Sequence, residues 1–116
     1  MKVRVLIAAA AMLVATPAFA HHPFDAEFDA HAPVRLAGKV TQIDWSNPHA
    51  RLYLEAKDGN GDLMKWDCEM ASPNLLTLHG WKIDTVRRGD RVTVSGYPSR
   101  DGSNHAYATK VSKTAP

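Results

Sequence analysis

Along most of the chain, apolar and polar residues alternate with period two, the spacing of strands that bury one face. Pro33 opens the first such stretch. Val34, Leu36, Gly38 and Val40 share a face, then the phase slips and Ile43 and Trp45 become the apolar pair. A one-residue slip in a strand that also holds a glycine predicts a long strand, bulged and bent. Ser46-Asn47-Pro48-His49 reads as a turn. Ala50, Leu52, Leu54 and Ala56 then alternate with Arg51, Tyr53, Glu55 and Lys57, a second half-buried strand. Lys57 to Asp62 holds two glycines and an asparagine, the residues of a hairpin connection with positive φ. Met64, Trp66, Cys68 and Met70 supply one face of a third strand.

The period changes after Met70. Ser72 suits a helix cap and Pro73 the first helical position; Leu75, Leu76 and Leu78 give an apolar side, and Gly80 ends the turn. Trp81 to Arg88 is a connector, and Gly89-Asp90 precedes a fourth strand with Val92 and Val94 inward. Tyr97 to Asn104 reads as a loop, His105 to Val111 as a fifth strand, and the residues after Ser112 as a loose tail. The order β-β-β-α-β-β, with a long bent first strand, is that of the OB-fold, a five-stranded Greek-key barrel. The expectation is a mostly β domain over residues 33–112, a small OB-like barrel with one short helix between strands three and four. A different small barrel or sandwich is the alternative.

The first twenty residues follow another logic. Lys2 and Arg4 precede an uncharged apolar run from Val5 to Val14, shorter than the ~20 residues that span a bilayer. Ala18-Phe19-Ala20 then offers small residues where a signal peptidase reads, and Pro17 breaks any helix just before them. Residues 1–20 are therefore expected to be a cleavable signal peptide, and the mature chain to begin at His21 in the periplasm. No second apolar stretch follows, so no membrane-spanning segment is expected. Cleavage alters the charge balance: the chain has 14 Lys and Arg against 12 Asp and Glu, and loss of Lys2 and Arg4 brings the two into balance. A balanced domain lacks the electrostatic footprint of a nucleic-acid binder. All six histidines remain. The single Cys68 has no partner for an intrachain disulfide, so stability must come from packing.

Residues 21–32 read as an N-terminal arm. Phe24 and Phe28 stand four apart, so a helical turn or an extended segment puts both rings on one side, suited to pinning the arm to the barrel. Several segments together carry a resemblance. They are His21-His22-Pro23-Phe24 with Glu27-Phe28-Asp29, Gly38-Lys39-Val40, Trp45-Ser46-Asn47-Pro48-His49, Ser72-Pro73-Asn74-Leu75-Leu76 with Gly80-Trp81, and Gly89-Asp90-Arg91-Val92 with Gly96 and Asp101-Gly102. This set resembles the uncharacterised exported bacterial family numbered 6152 among the domains of unknown function. The His-His start paired with Trp-x-Asn-Pro-His is the specific part. Members usually carry Ser after the histidine pair, where this chain has Pro23. The resemblance implies export and a small β domain, and brings no catalytic residues with it.

The predicted mature start is the most unusual chemistry. Cleavage after Ala20 gives His21 a free α-amine, and that amine and the imidazole of the same residue can chelate one metal ion. His22 adds a second imidazole, and Pro23 has no amide N–H, so backbone coordination stops there and side chains from elsewhere must complete a site. Cu²⁺ stands at the top of the divalent affinity series and suits nitrogen ligands. His49, after the Asn-Pro turn, and His105, at the start of the fifth strand, flank the loops that border an OB ligand groove. His21, His22 and His49 are the candidate metal ligands. Alternatively, His49 hydrogen-bonds the turn and His105 is solvated. Arg51, Tyr53, Glu55, Lys65, Asp67 and His105 are the candidate groove, a mixed-charge outer face for a polar or peptide-like ligand, or a solvated surface. Period two makes the Met64-Trp66-Cys68-Met70 stripe barrel core, not a soft-metal site. No triad, split carboxylate pair or phosphate-cradling loop is recognisable. The expectation is a periplasmic binding protein without catalysis, taking copper at its start. The alternative is an envelope interaction module, for a protein or small ligand, with incidental histidines. A brace-type copper oxidase stands third.

Overall fold

The computed structural model describes residues 24–114. Its elements are α1 (Phe24–Glu27), β1 (Val34–Asp44), β2 (Arg51–Lys57), β3 (Leu63–Glu69), α2 (Pro73–Leu78), β4 (Arg91–Pro98) and β5 (His105–Lys113). The strands close into a barrel in the order β1-β2-β3-β5-β4. All neighbours are antiparallel except β3 and β5, which run parallel over Asp67 to Glu69 and His105 to Tyr107. The chain is thus mostly β, a closed five-stranded barrel with one short helix between β3 and β4.

Strand parity builds the core. Leu52 and Leu54 of β2, Cys68 of β3, Val92 and Val94 of β4, and Ala106 of β5 are almost wholly buried, with Val40 and Met70 beside them. Met64 and Trp66 of the third-strand stripe are only half-buried, because they lie toward the hairpin end of the barrel. The phase slip in β1 is a bulge: Val40 faces Leu54, but Gln42 faces Tyr53, leaving Thr41 over. That extra residue turns the inward set from Val34, Leu36 and Val40 to Ile43 and Trp45, which pack against the core. A second register shift lies in β4 against β5, where Ser95 faces Lys110 and Gly96 faces Ala108. The hydroxyl of Thr109, the residue left over, donates to the Ser95 carbonyl at 3.1 Å.

Two glycines permit the closest strand approaches. A Cβ on Gly38 would overlap the Glu55 carbonyl, and one on Gly96 the Tyr107 carbonyl. Only a residue without a side chain lets backbone come so near. Helix α2 begins as its sequence predicts: the Ser72 hydroxyl accepts from the Leu75 amide at 3.2 Å, and Pro73 follows. Leu76 and Trp81 pack against the core, and Val86 of the connector is buried there.

Two expected boundaries move. Tyr97 and Pro98 belong to β4, not to a loop, because they pair with Tyr107 and Ala106. The fifth strand runs past Ser112: Lys113 faces Val92, and the Thr114 amide donates to Arg91 at 2.9 Å. These segments carry loop-like residues, and the long neighbouring strand holds them in register.

Candidate functional site

The same parity that buries Leu52, Cys68 and Ala106 turns their neighbours outward. Arg51 and Tyr53 of β2, Asp67 and Glu69 of β3, and His105 and Tyr107 of β5 therefore share one outer face. Arg51 faces Glu69 and Tyr53 faces Asp67 across β2 and β3. The parallel pairing sets His105 beside Asp67 and Tyr107 beside Glu69. The β1–β2 turn brings His49 to one end of this face.

The arm closes the other side. Helix α1 is one turn, with the Phe28 amide donating to Phe24 at 2.8 Å, and Phe28 then bridges to Ser99. Asp29 donates to the Pro98 carbonyl at 2.9 Å, and Arg100 returns its amide to Glu27 at 2.9 Å and its Nε to the Asp25 carbonyl at 2.6 Å. Phe28 is 2% exposed, with its ring 5.3 Å from that of His105 and 5.7 Å from that of Tyr107. Phe24 packs on Phe28 with ring centres 5.2 Å apart and tilted by 34°, and meets Tyr97 and Tyr107 edge-on. Aromatic contacts of this kind add to the burial of ring area. The paired rings thus pin the arm to the barrel beside His105.

Six ionisable side chains converge there. The His105 Nδ1 lies 3.5 Å from Asp67 Oδ2, and its Nε2 lies 3.5 Å from Glu27 Oε1 and 3.7 Å from Glu69 Oε2. His49 Nε2 lies 3.5 Å from the other oxygen of Glu69. Its Nδ1 is 2.9 Å from the Met70 carbonyl. A carbonyl only accepts, so His49 Nδ1 carries the proton, and in the neutral ring Nε2 presents its lone pair to Glu69. Asp67 Oδ2 accepts from Arg51 Nη1 at 2.6 Å, while Asp67 Oδ1 is buried without a partner. Desolvation works against the Arg51 charge, but Asp67, Tyr53 and Glu69 outweigh it and hold the guanidinium above its ordinary range.

Of the residues singled out in the sequence, the structure gathers Arg51, Asp67 and His105, with Tyr53 opposite Asp67. Glu55 and Lys65 face each other across β2 and β3, one outward step beyond Tyr53 and Asp67. His49 joins the cluster through Glu69. His21 and His22 lie outside the described residues. Glu69 and Glu27 join the site without being among the candidate residues. Parity gives Glu69, which shares the face of Asp67. Glu27 has no such signal, since only the clamping of Phe24 and Phe28 brings the arm there.

A separate, open groove of about 500 Å³ lies between α2 and β5, lined by Met70, Leu75, Leu76, Trp81 and Val111 among others. Among the described residues, no helix is long and apolar enough to cross a membrane.

The closed barrel, the parallel β3–β5 contact and the helix between β3 and β4 define an OB-like fold. Residues 9–108 match the family of unknown function DUF6152, and the chain belongs to that family. Curated proteins offer no match. Among solved structures the chain is similar to Rim1, a mitochondrial single-stranded DNA-binding protein from S. cerevisiae, at a TM-score of 0.53 and 8% identity. That likeness covers 71% of this chain and 92% of Rim1, and it shows the fold alone.

Proposed function

We propose that this is an exported periplasmic binding protein without chemistry of its own, and that its ligand is a copper ion taken at a mature His21-His22 start. The observation that carries the reading is the clamped arm: Phe28 is buried against the ring of His105, and the arm so held leads back to the histidine pair. The proposed start is three residues from Phe24, at most about 11 Å of extended chain. His49 stands on the same face, with Nδ1 turned to Met70 and Nε2 outward to Glu69. An imidazole so oriented by a backbone acceptor is suited to metal ligation through its other nitrogen. The amine and imidazole of His21 would chelate the ion, and His22 or His49 would complete the coordination.

The test is a Cu²⁺ titration of protein purified from the periplasm with its native start. One equivalent should bind, and one residue added before His21 should weaken binding by moving the amine away from that imidazole. If the extended form binds equally well, the terminal chelate is not the site. If neither form exceeds a free His-His peptide, an envelope interaction module with incidental histidines replaces this reading.

A further inference from the structure

We infer that Glu27, Glu69 and His105 form a seat for one divalent transition-metal ion, and that this ion fastens the arm to the barrel. The inference shares with the reading above only the class of ligand, and uses neither His21 nor His22.

The first ground is spacing. One carboxylate oxygen from each of Glu27 and Glu69 and one nitrogen of His105 lie within 4.8 Å of one another. The two contacts of His105 Nε2, at 3.5 and 3.7 Å, are longer than the ~2.7–2.9 Å of a charge-assisted hydrogen bond. Ligands ~2.0–2.2 Å from a tetrahedral ion stand roughly 3.3–3.6 Å apart. The His105–Glu27 contact falls in that range and the His105–Glu69 contact lies just beyond it, so a small adjustment of side chains would bring these donors around a shared ion.

The second ground is charge. Among the described residues, no Lys or Arg lies within ion-pair distance of Glu27 or Glu69; their partners are imidazoles. Of the nearby cations, Arg51 is bonded to Asp67 and feels Glu69 only at longer range, and Arg100 is held by the Asp25 carbonyl and Asp29. Two carboxylates face one imidazole nitrogen, which holds at most one proton and cannot satisfy both. A divalent cation neutralises both.

The third ground is the orientation of the rings. His105 turns Nδ1 toward Asp67 and Nε2 toward the two glutamates. At 3.5 Å the Asp67 contact is also longer than a charge-assisted hydrogen bond, but it lies on the side from which a carboxylate orients the ring in histidine-metal sites, and it leaves Nε2 to the glutamates. Phe28 packs against the ring from one side, tilted by 36°. One nitrogen and two carboxylate oxygens suit Zn²⁺ or a similar borderline ion. The ligands come from α1, β3 and β5, so the ion joins the arm to both strands of the short parallel contact.

The experiment uses Zn²⁺ on the mature protein and on a His21→Ala/His22→Ala variant, which has lost both terminal imidazoles. The double variant should still bind one Zn²⁺. Adding Glu27→Gln or Glu69→Gln, each close to isosteric, should weaken that binding more than about tenfold, the least that loss of an outer-shell partner commonly costs. Zn²⁺ should also slow hydrogen exchange at Phe28 and Asp29 in the double variant, and fail to do so once Glu27→Gln is added. If the double variant binds no Zn²⁺ while the native start binds a metal, this seat falls and the terminal chelate stands. If the double variant binds Zn²⁺ and the glutamine changes leave affinity untouched, the seat is overturned as well. Zn²⁺ bound by the double variant and lost with either glutamine upholds it, whatever the Cu²⁺ titration gives.

Discussion

Cys68 shows how a residue's place in the strand alternation governs its chemistry. It sits on the inward side of β3, opposite Leu52 and beside Ala106, with no exposed surface. Burial first, and the neighbouring Asp67 charge second, push its thiol up to about 12. The thiolate is the reactive form, so the native protein should resist a thiol reagent at neutral pH and label only on unfolding. The same shift couples to stability. Between the unfolded thiol's ~8.5 and about 12, the unfolded chain has released a proton that the folded chain keeps. Stability is therefore fully present below ~8.5 and falls as pH rises through that window. Urea unfolding from pH 8 to 11 should show this loss, and Cys68→Ala should flatten it while lowering stability at every pH through the lost packing. Rapid labelling of native protein would place the stripe outside the barrel.

At the scale of elements, alternation and turn chemistry make most of the barrel legible in the sequence. The slip after Val40 marked the bulge at Thr41, Ser72-Pro73 marked the start of α2, and the two outward sets marked the face that carries Arg51 and Asp67. Three things were not legible, each because a distant partner decides it. Tyr97 and Pro98 look like loop, yet the opposite strand holds them in β4. Lys113 is kept in β5 by Val92. Glu27 reaches His105 only because Phe24 and Phe28 find a bed of Tyr97, Tyr107 and His105, and no local periodicity records that bed. Close crossing of strands was likewise invisible, and it makes a prediction. Gly96→Ala must displace the Tyr107 backbone, next to the register shift of β4 and β5, and should cost about 1–3 kcal/mol or more, the usual cost of overpacking. Gly59→Ala, in the β2–β3 connection with nothing within 4 Å of a new Cβ, should change stability far less. Urea midpoints of the two variants decide the matter; equal effects would mean that the barrel does not depend on the close approach at Gly96.

For the whole molecule, the question is what an OB-like barrel does when its usual groove carries acid. In proteins that bind single strands on this fold, a positive groove tracks the phosphates and aromatic side chains stack the bases. Here the corresponding face holds Glu27, Asp67 and Glu69, with Arg51 already committed to Asp67 at 2.6 Å. The rings nearest it, Phe24, Phe28, Tyr97 and Tyr107, pack on one another, and Phe28 is buried. Of the exposed basic residues near this face, Lys65 stands opposite Glu55 at its edge and Arg100 is held by the Asp25 carbonyl and Asp29. Others lie elsewhere, among them Arg35 and Lys39 on β1, Arg91 on β4 and Lys110 on β5. Their outward neighbours are Ala37, Thr93, Ser95 and Ser112, none of them aromatic. That side can attract phosphate weakly and has nothing to stack a base. A phosphate strand laid along the groove would instead meet three carboxylates, a like-charge encounter that steers it away. The protein should therefore show no binding of an oligothymidine by fluorescence anisotropy at about 0.15 M salt, and only a weak association at low salt that vanishes steeply as counterions compete. Arg35→Ala and Lys110→Ala should abolish that remnant, whereas Glu69→Gln should not create groove binding. Tight, salt-tolerant binding sensitive to Tyr97 or Tyr107 would mean that the arm swings off its aromatic bed, and that the fold has kept a nucleic-acid role beneath it.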